Sequence, residues 1–269
     1  MSASSPQPYD VREDVILYVI QGSHACRAAM LMLEHKQLPY RLVTLPTGPH
    51  PMLLRARRFA GHREPIRSVR GRAHRSLALL DRMGTVPALR SGSERVQTNR
   101  AIARWLERVQ PQPPLFPADA ERRSAVEEAE KWGDEVFQMA ARRITLAGGQ
   151  HGLGALRDRA NDGRLGALLA KGERARAVSN QVAARLVFKA DGEEAERELL
   201  AELPGMLDEI DRLIGEGVLG GTELNAADFM IAPSLALIAY RLDLRPQIET
   251  RPARAWLERV LPEPPLSDG

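Results

Sequence analysis

Ser23 and Cys26 stand three residues apart in Gly22-Ser-His-Ala-Cys-Arg27, directly after the apolar run Val15 to Ile20. A thiol is a weak nucleophile until it ionises. The first turn of a helix favours ionisation, because its unpaired N–H groups and the macrodipole stabilise a nearby anion. At the cap of such a helix Ser23 has two readings: it caps the helix, or its hydroxyl donates to a thiolate. A charge-assisted bond of that kind contributes about 1.5–3 kcal/mol, roughly one or two pKa units. Cys26, about one turn further in, is either packed against a sheet or is a redox-active thiol able to form a mixed disulfide. It is the only cysteine, so any redox route is monothiol, and internal disulfides and multi-cysteine metal sites are excluded. A lone thiol also suits a reducing, cytoplasmic setting. His24 is near enough to tune either group, although a histidine at a helix start is ordinarily just solvated.

Two further places could hold a ligand. In Gly84-Thr-Val-Pro-Ala-Leu89 a cis Pro87 would turn the backbone of Val86 outward as a strand-like partner for an extended peptide; a trans proline opening an edge strand fits equally. Thr98 and Asn99 open a helix, where hydroxyl, amide and N–H groups could hold a carboxylate, or where Thr98 only caps.

The elements that position these residues follow from hydrophobic periodicity. Val15 to Ile20 (VILYVI) reads as a strand buried on both faces. A helix starts after the Ser23 cap and carries Ala28, Ala29, Leu31, Met32 and Leu33; Tyr40 to Leu45 is a second strand, closing a right-handed βαβ unit. Val86 to Leu89 and Arg95 to Gln97 are short strands about a Ser91-Gly92-Ser93 turn. Thr98 to Val109 is a helix with Ala101, Ile102, Trp105 and Leu106 on one face. The breaker Gln110-Pro-Gln-Pro-Pro114 marks a linker. Beyond it Ala120 to Ala147, Glu194 to Gly215 and Ala226 to Tyr240 have helical periodicity, while Gly148 to Gly172, with seven glycines, reads as partly irregular.

This order resembles the glutathione transferase superfamily, and four motifs carry the resemblance. Gly22 to Arg27 is similar to the Ser-x-Pro-Cys-Arg helix start of its serine-type members, with Ala25 where proline is usual. Val86-Pro-Ala-Leu89 is similar to Val-Pro-x-Leu, in which the peptide before the proline is cis. Thr98-Asn-Arg-Ala-Ile102 resembles Glu-Ser-x-Ala-Ile, which binds the γ-glutamyl end of glutathione, with Thr98 in place of the acid. Leu224-Asn-Ala-Ala-Asp228 resembles the Ser/Thr-x-x-Asp capping box. Leu115-Phe-Pro117 and Trp132 also fit.

The resemblance implies an α/β thioredoxin-like domain with a mixed four-stranded sheet over 15–109, carrying an arginine-rich insert at about 47–83. A linker at 110–117 and an all-α helical bundle domain at 118–269 follow. Residues 1–14, lacking a signal-peptide pattern, are expected to be a disordered lead-in. Ser23 and Cys26 are the implied catalytic residues, and His24, Arg27, Val86, Pro87, Thr98 and Asn99 the implied glutathione-binding ones. Glutathione would be a cosubstrate joined to a small apolar electrophile, walled in near Trp132 and Phe137, in a homodimer. A Cys26-dependent oxidoreductase or peroxidase, and a non-catalytic ligand-binding or scaffold protein of the same fold, are the alternatives.

Net charge is only +3, yet eight arginines from Arg55 to Arg75 face one acid, Glu64, and the rest of the chain is net negative. Such a run reads as a mobile, solvated surface segment; without interleaved aromatics, nucleic acid is a disfavoured partner. Apolar runs are too short for a membrane span. Gly149-Gln-His-Gly-Leu-Gly154 does not continue as a dinucleotide or phosphate loop, and no His-Glu-x-x-His appears, so no metal is expected.

Overall fold

The computed structural model describes residues 15–20, 22–46, 48–61, 85–147, 193–241 and 243–261. The expectations for 1–14, for the arginine run beyond Gly61, and for Gly148 to Gly172 lie outside them.

Strand β1 (Val15–Val19) is buried along its whole length, as an unbroken β-branched and apolar run demands of a central strand. Gly22 turns the chain at φ +74, a conformation that costs a residue without Cβ little, and α1 (His24–His35) begins under the Ser23 cap. Strand β2 (Arg41–Thr44) pairs parallel to β1; β3 (Ala88–Ser91) pairs antiparallel to β1, and β4 (Glu94–Gln97) antiparallel to β3. The sheet order is β2-β1-β3-β4, the mixed four-stranded arrangement expected. Between β2 and β3, where a loop was expected, α2 (His50–Ala56) forms with Pro51 in its first turn. Leu54 and the following Phe59 are buried, and Phe59 meets Tyr18 edge-on at 5.6 Å.

Helix α3 (Asn99–Val109) leads into the linker, which is fixed rather than loose. The fully buried Lys36 donates through Nζ to Glu107 and to the Pro111 carbonyl, and Glu107 also accepts the Leu115 N–H at 2.7 Å. One ion pair thus ties α1, α3 and the linker together. Phe116 lies under the guanidinium groups of Arg104 and Arg123.

The helical domain opens with α4 (Ala120–Trp132), capped by Asp119. A π-helical turn, Gly133–Phe137, joins it to α5 (Gln138–Ala147), so the single periodic stretch from Ala120 to Ala147 is one helix with a bulge. At Gly133 a Cβ would lie 2.8 Å from Ile231 Cγ1 and 2.9 Å from Met230 Cγ, which explains the glycine. Helix α6 (Glu193–Gly215) precedes α7 (Ala226–Ala239), apolar on every side and correspondingly central. It packs on α1, α4 and α5, and on α9 (Pro252–Val260) beyond the short α8 (Arg245–Glu249).

The capping box of α7 is complete. Asn225 Oδ1 accepts the Ala227 and Asp228 N–H groups, and Asp228 Oδ2 accepts the Asn225 N–H at 2.9 Å. Asp228 Oδ1 accepts in addition from the Gly220 N–H at 2.8 Å and Trp256 Nε1 at 2.7 Å. The buried carboxylate thereby joins α7 to the preceding turn and to α9.

Candidate active site

Strand register brings the expected site residues to one end of the sheet. Tyr18 pairs with Ala88 and Ala88 with Gln97, so Val86, Pro87 and Thr98 flank the end of β1 from which the chain enters α1. The Thr98 N–H donates to the Pro87 carbonyl at 3.3 Å, and the Val86-Pro87 peptide is cis. Gln97 fastens this corner, accepting the Gly61 N–H and donating to the Thr85 carbonyl.

Ser23 is half-buried and is the N-cap of α1, its Oγ accepting the Cys26 N–H at 3.2 Å. That bond uses a lone pair. The hydroxyl proton remains for one acceptor, either the Cys26 sulfur behind it or a thiolate in front.

Cys26 is only 2% exposed. Burial pushes its thiol up to about 11, against opposing contributions from the Ser23 hydroxyl, the Ile20 backbone and the charge of Arg142. The helix terminus does not outweigh desolvation here, so at neutral pH the Cys26 thiol is protonated.

His24 departs from its expectation: it is buried rather than solvated. Its Nε2 lies 3.2 Å from the Gln138 carbonyl, 114 residues along the chain. Burial, helped by the Arg142 charge, lowers its pKa to about 3, so the ring is neutral. A neutral ring facing a carbonyl carries its proton on Nε2, and His24 becomes the tie between α1 and α5.

Arg27 turns along α1 to Glu34, with Nη1 at 3.3 Å from Oε1, and Tyr40 donates to the same oxygen. Asn99 is 2% exposed, and its Nδ2 faces the Met230 sulfur of α7 at 3.9 Å. Its side chain faces the interdomain core. Thr98 caps α3 through Oγ1 to the Ala101 N–H and holds φ +76, ψ 148, a region strained for a β-branched residue. Phe137, expected on an apolar wall, is fully buried; Trp132, stacked on it at 5.2 Å, is partly buried.

Sequence reasoning missed Gln138 and Arg142. Both lie on α5, one helical turn apart, and their charge and carbonyl reach the first turn of α1 only because the domains pack together. No local signal marks them. Among the described residues no group of His, Cys, Asp or Glu is arranged to hold a metal ion, and no helix is long and apolar enough to cross a membrane.

Comparison with known proteins agrees with this geometry. The family model described as glutathione S-transferase, N-terminal domain, matches residues 17–114, and that described as glutathione S-transferase, C-terminal domain, matches 180–259. No curated protein sequence matches the chain. Among solved structures, a glutathione S-transferase from Rhodospirillum rubrum F11 is 21% identical with a TM-score of 0.55, over 92% of this chain and 87% of that one. FzlA from C. crescentus is 17% identical with a TM-score of 0.57 over the same shares. A glutathione S-transferase from Methylobacterium radiotolerans, in complex with glutathione sulfonate, is 18% identical with a TM-score of 0.50, over 91% of this chain and 87% of that one. These likenesses establish the fold. With both of its domain models matched over more than half of its length, the chain belongs to the glutathione S-transferase superfamily.

Proposed function

We propose that the protein is a glutathione transferase-like enzyme, which binds glutathione at the Ser23 end of the sheet and joins its sulfur to an electrophilic carbon of a small apolar molecule. The glutathione S–H proton passes to solvent, and the Ser23 hydroxyl donates to the thiolate. The sulfur electron pair forms the S–C bond, and the electrophile expels a leaving group with its bonding pair or takes up a proton. Val86 and Pro87 offer backbone to the peptide, and Thr98 and Asn99 contribute through the open first turn of α3. The likeness to the family also supports a homodimer, to be checked by sedimentation equilibrium.

The observation that carries this reading is the division between Ser23 and Cys26. The hydroxyl is half-buried at the helix N-terminus, whereas the thiol is buried and held protonated. Ser23→Ala should slow conjugation of glutathione to an aryl halide by roughly ten- to a hundredfold, and Cys26→Ser should retain it; the reverse pattern would establish the monothiol oxidoreductase instead. A ligand-binding protein without turnover is the second reading. It is favoured by the missing acid at Thr98 and by the Asn99 amide being turned into the core, and glutathione binding with no conjugation would establish it.

A further inference from the structure

Gln97 ends β4, and its side-chain amide bridges two points of the chain that are distant in sequence. Oε1 accepts the Gly61 N–H at 2.9 Å, and Nε2 donates to the Thr85 carbonyl at 3.2 Å. The Gly61 side of this bridge is itself anchored. Arg95 and Gln97 stand two apart on β4 and so leave the sheet on one face. Arg95 Nε donates to the Arg57 carbonyl at 3.3 Å, and its guanidinium stands over the buried Phe59 at 5.8 Å. The segment 57–61 is thus pinned to β4 through the Arg57 carbonyl, the Phe59 ring and the Gly61 N–H. Gln97 carries that anchorage across to Thr85.

On the Thr85 side lies the corner that holds Val86. The Val86-Pro87 peptide is cis, the Pro87 carbonyl accepts the Thr98 N–H at 3.3 Å, and Ala88 pairs with Gln97 in the β3–β4 ladder. The Val86 side chain is buried, yet among the described residues neither its N–H nor its carbonyl has a backbone hydrogen-bond partner. Backbone groups held in place but left unpaired suit strand-like pairing with an extended peptide. The Thr85 carbonyl and the Val86 N–H belong to one planar peptide unit. A bond that fixes the carbonyl therefore fixes the direction of the N–H, and it polarises the unit so that the N–H becomes a stronger donor.

We infer that, for a protein binding glutathione at this end of the sheet as proposed above, Gln97 is a positioning residue: through the Thr85 carbonyl it aims the Val86 N–H at a carbonyl of the bound peptide. A primary amide suits the place, because the bridge needs one acceptor for the Gly61 N–H and one donor for the Thr85 carbonyl. An ionised carboxylate offers acceptors only, and an alanine neither.

The test is steady-state conjugation of glutathione by wild type, Gln97→Ala and Gln97→Glu, beside calorimetric titration with S-methylglutathione, which has no thiol to ionise. Gln97→Ala should raise the glutathione KM and the S-methylglutathione Kd about three- to tenfold, the loss of about one net hydrogen bond. With kcat and the bound-thiol pKa unchanged, that is the pattern of lost uniform binding. Gln97→Glu should bind at least as weakly at neutral pH, where its carboxylate repels the Thr85 carbonyl. As pH falls through about 4.3 the carboxyl regains a proton to donate, and its affinity for S-methylglutathione should recover relative to Gln97→Ala at the same pH. Thermal melts establish that each variant folds, and should the alanine variant not fold, the pH dependence of Gln97→Glu decides. A lowered Tm with KM and Kd unmoved, a fall in kcat at constant KM, or no recovery of Gln97→Glu at low pH would overturn this inference alone. Failure of wild type to bind either ligand would overturn it together with the glutathione reading.

Discussion

Replacing Asp228 by alanine removes the acceptor for three donors at once: the Asn225 N–H, the Gly220 N–H and Trp256 Nε1. Asp228 is fully buried, and two of those donors are buried with it, so water cannot replace the carboxylate without a cavity. An unsatisfied buried donor costs about 1–3 kcal/mol, and loss of the cap about 1 kcal/mol more. Against this, the pKa of Asp228 is raised because burial outweighs its hydrogen bonds, so removing the charge recovers part of a desolvation penalty. The balance is a loss of about 3–5 kcal/mol. For a chain of this size that lowers Tm by roughly 5–10 °C and shifts the urea midpoint in proportion at unchanged slope. Asp228→Asn keeps one acceptor and points an amide N–H at another donor, so it should fall between wild type and alanine. A thermal melt and a urea titration of Asp228→Ala within about 1 kcal/mol of wild type would refute the idea that this carboxylate joins α7 to α9.

Thr98 combines a useful cap with a strained backbone at φ +76. Thr98→Gly, which relieves the strain and remains a fair cap, should stabilise by about 0.5–2 kcal/mol, and Thr98→Ala, which keeps the strain and loses the cap, should destabilise by about 1 kcal/mol; urea midpoints of the pair check the opposite signs. His24, with its folded pKa lowered from 6.5 to about 3, is neutral in the fold and protonates first in the unfolded chain. Its contribution is therefore complete above pH 6.5 and is lost as pH falls towards 3, at up to about 1.4 kcal/mol per pH unit. His24→Gln should flatten the acid limb of a stability-versus-pH curve, and an unchanged slope would contradict the assignment.

How far the molecule was legible in its sequence differs by the range of the forces involved. β1 announced itself because six consecutive apolar residues have few other places to go. The α1 and α7 caps were visible because Ser23 and the Asn225–Asp228 box act on N–H groups two or three residues away. Helix α2 was hidden: seven residues with no capping side chain carry little local signal, and Leu54 and Phe59 are fixed by a sheet far away in sequence. The fates of His24 and Asn99 were hidden for the same reason. Each is decided by a helix of the second domain, through the Gln138 carbonyl and the Met230 sulfur, and a helix start looks the same in sequence whether solvent or another domain lies over it.

The proposed reaction depends on Ser23, and not on Cys26, to activate a bound thiol. It is tested most directly by titrating the glutathione complex of wild type, Ser23→Ala and Cys26→Ser with pH while following the thiolate absorbance, beside calorimetry with a thiol-lacking glutathione analogue. The expected result is a bound-thiol pKa below that of free glutathione, raised by about one or two units in Ser23→Ala and unmoved in Cys26→Ser. A bound-thiol pKa indifferent to Ser23, or no binding at millimolar glutathione, would contradict it.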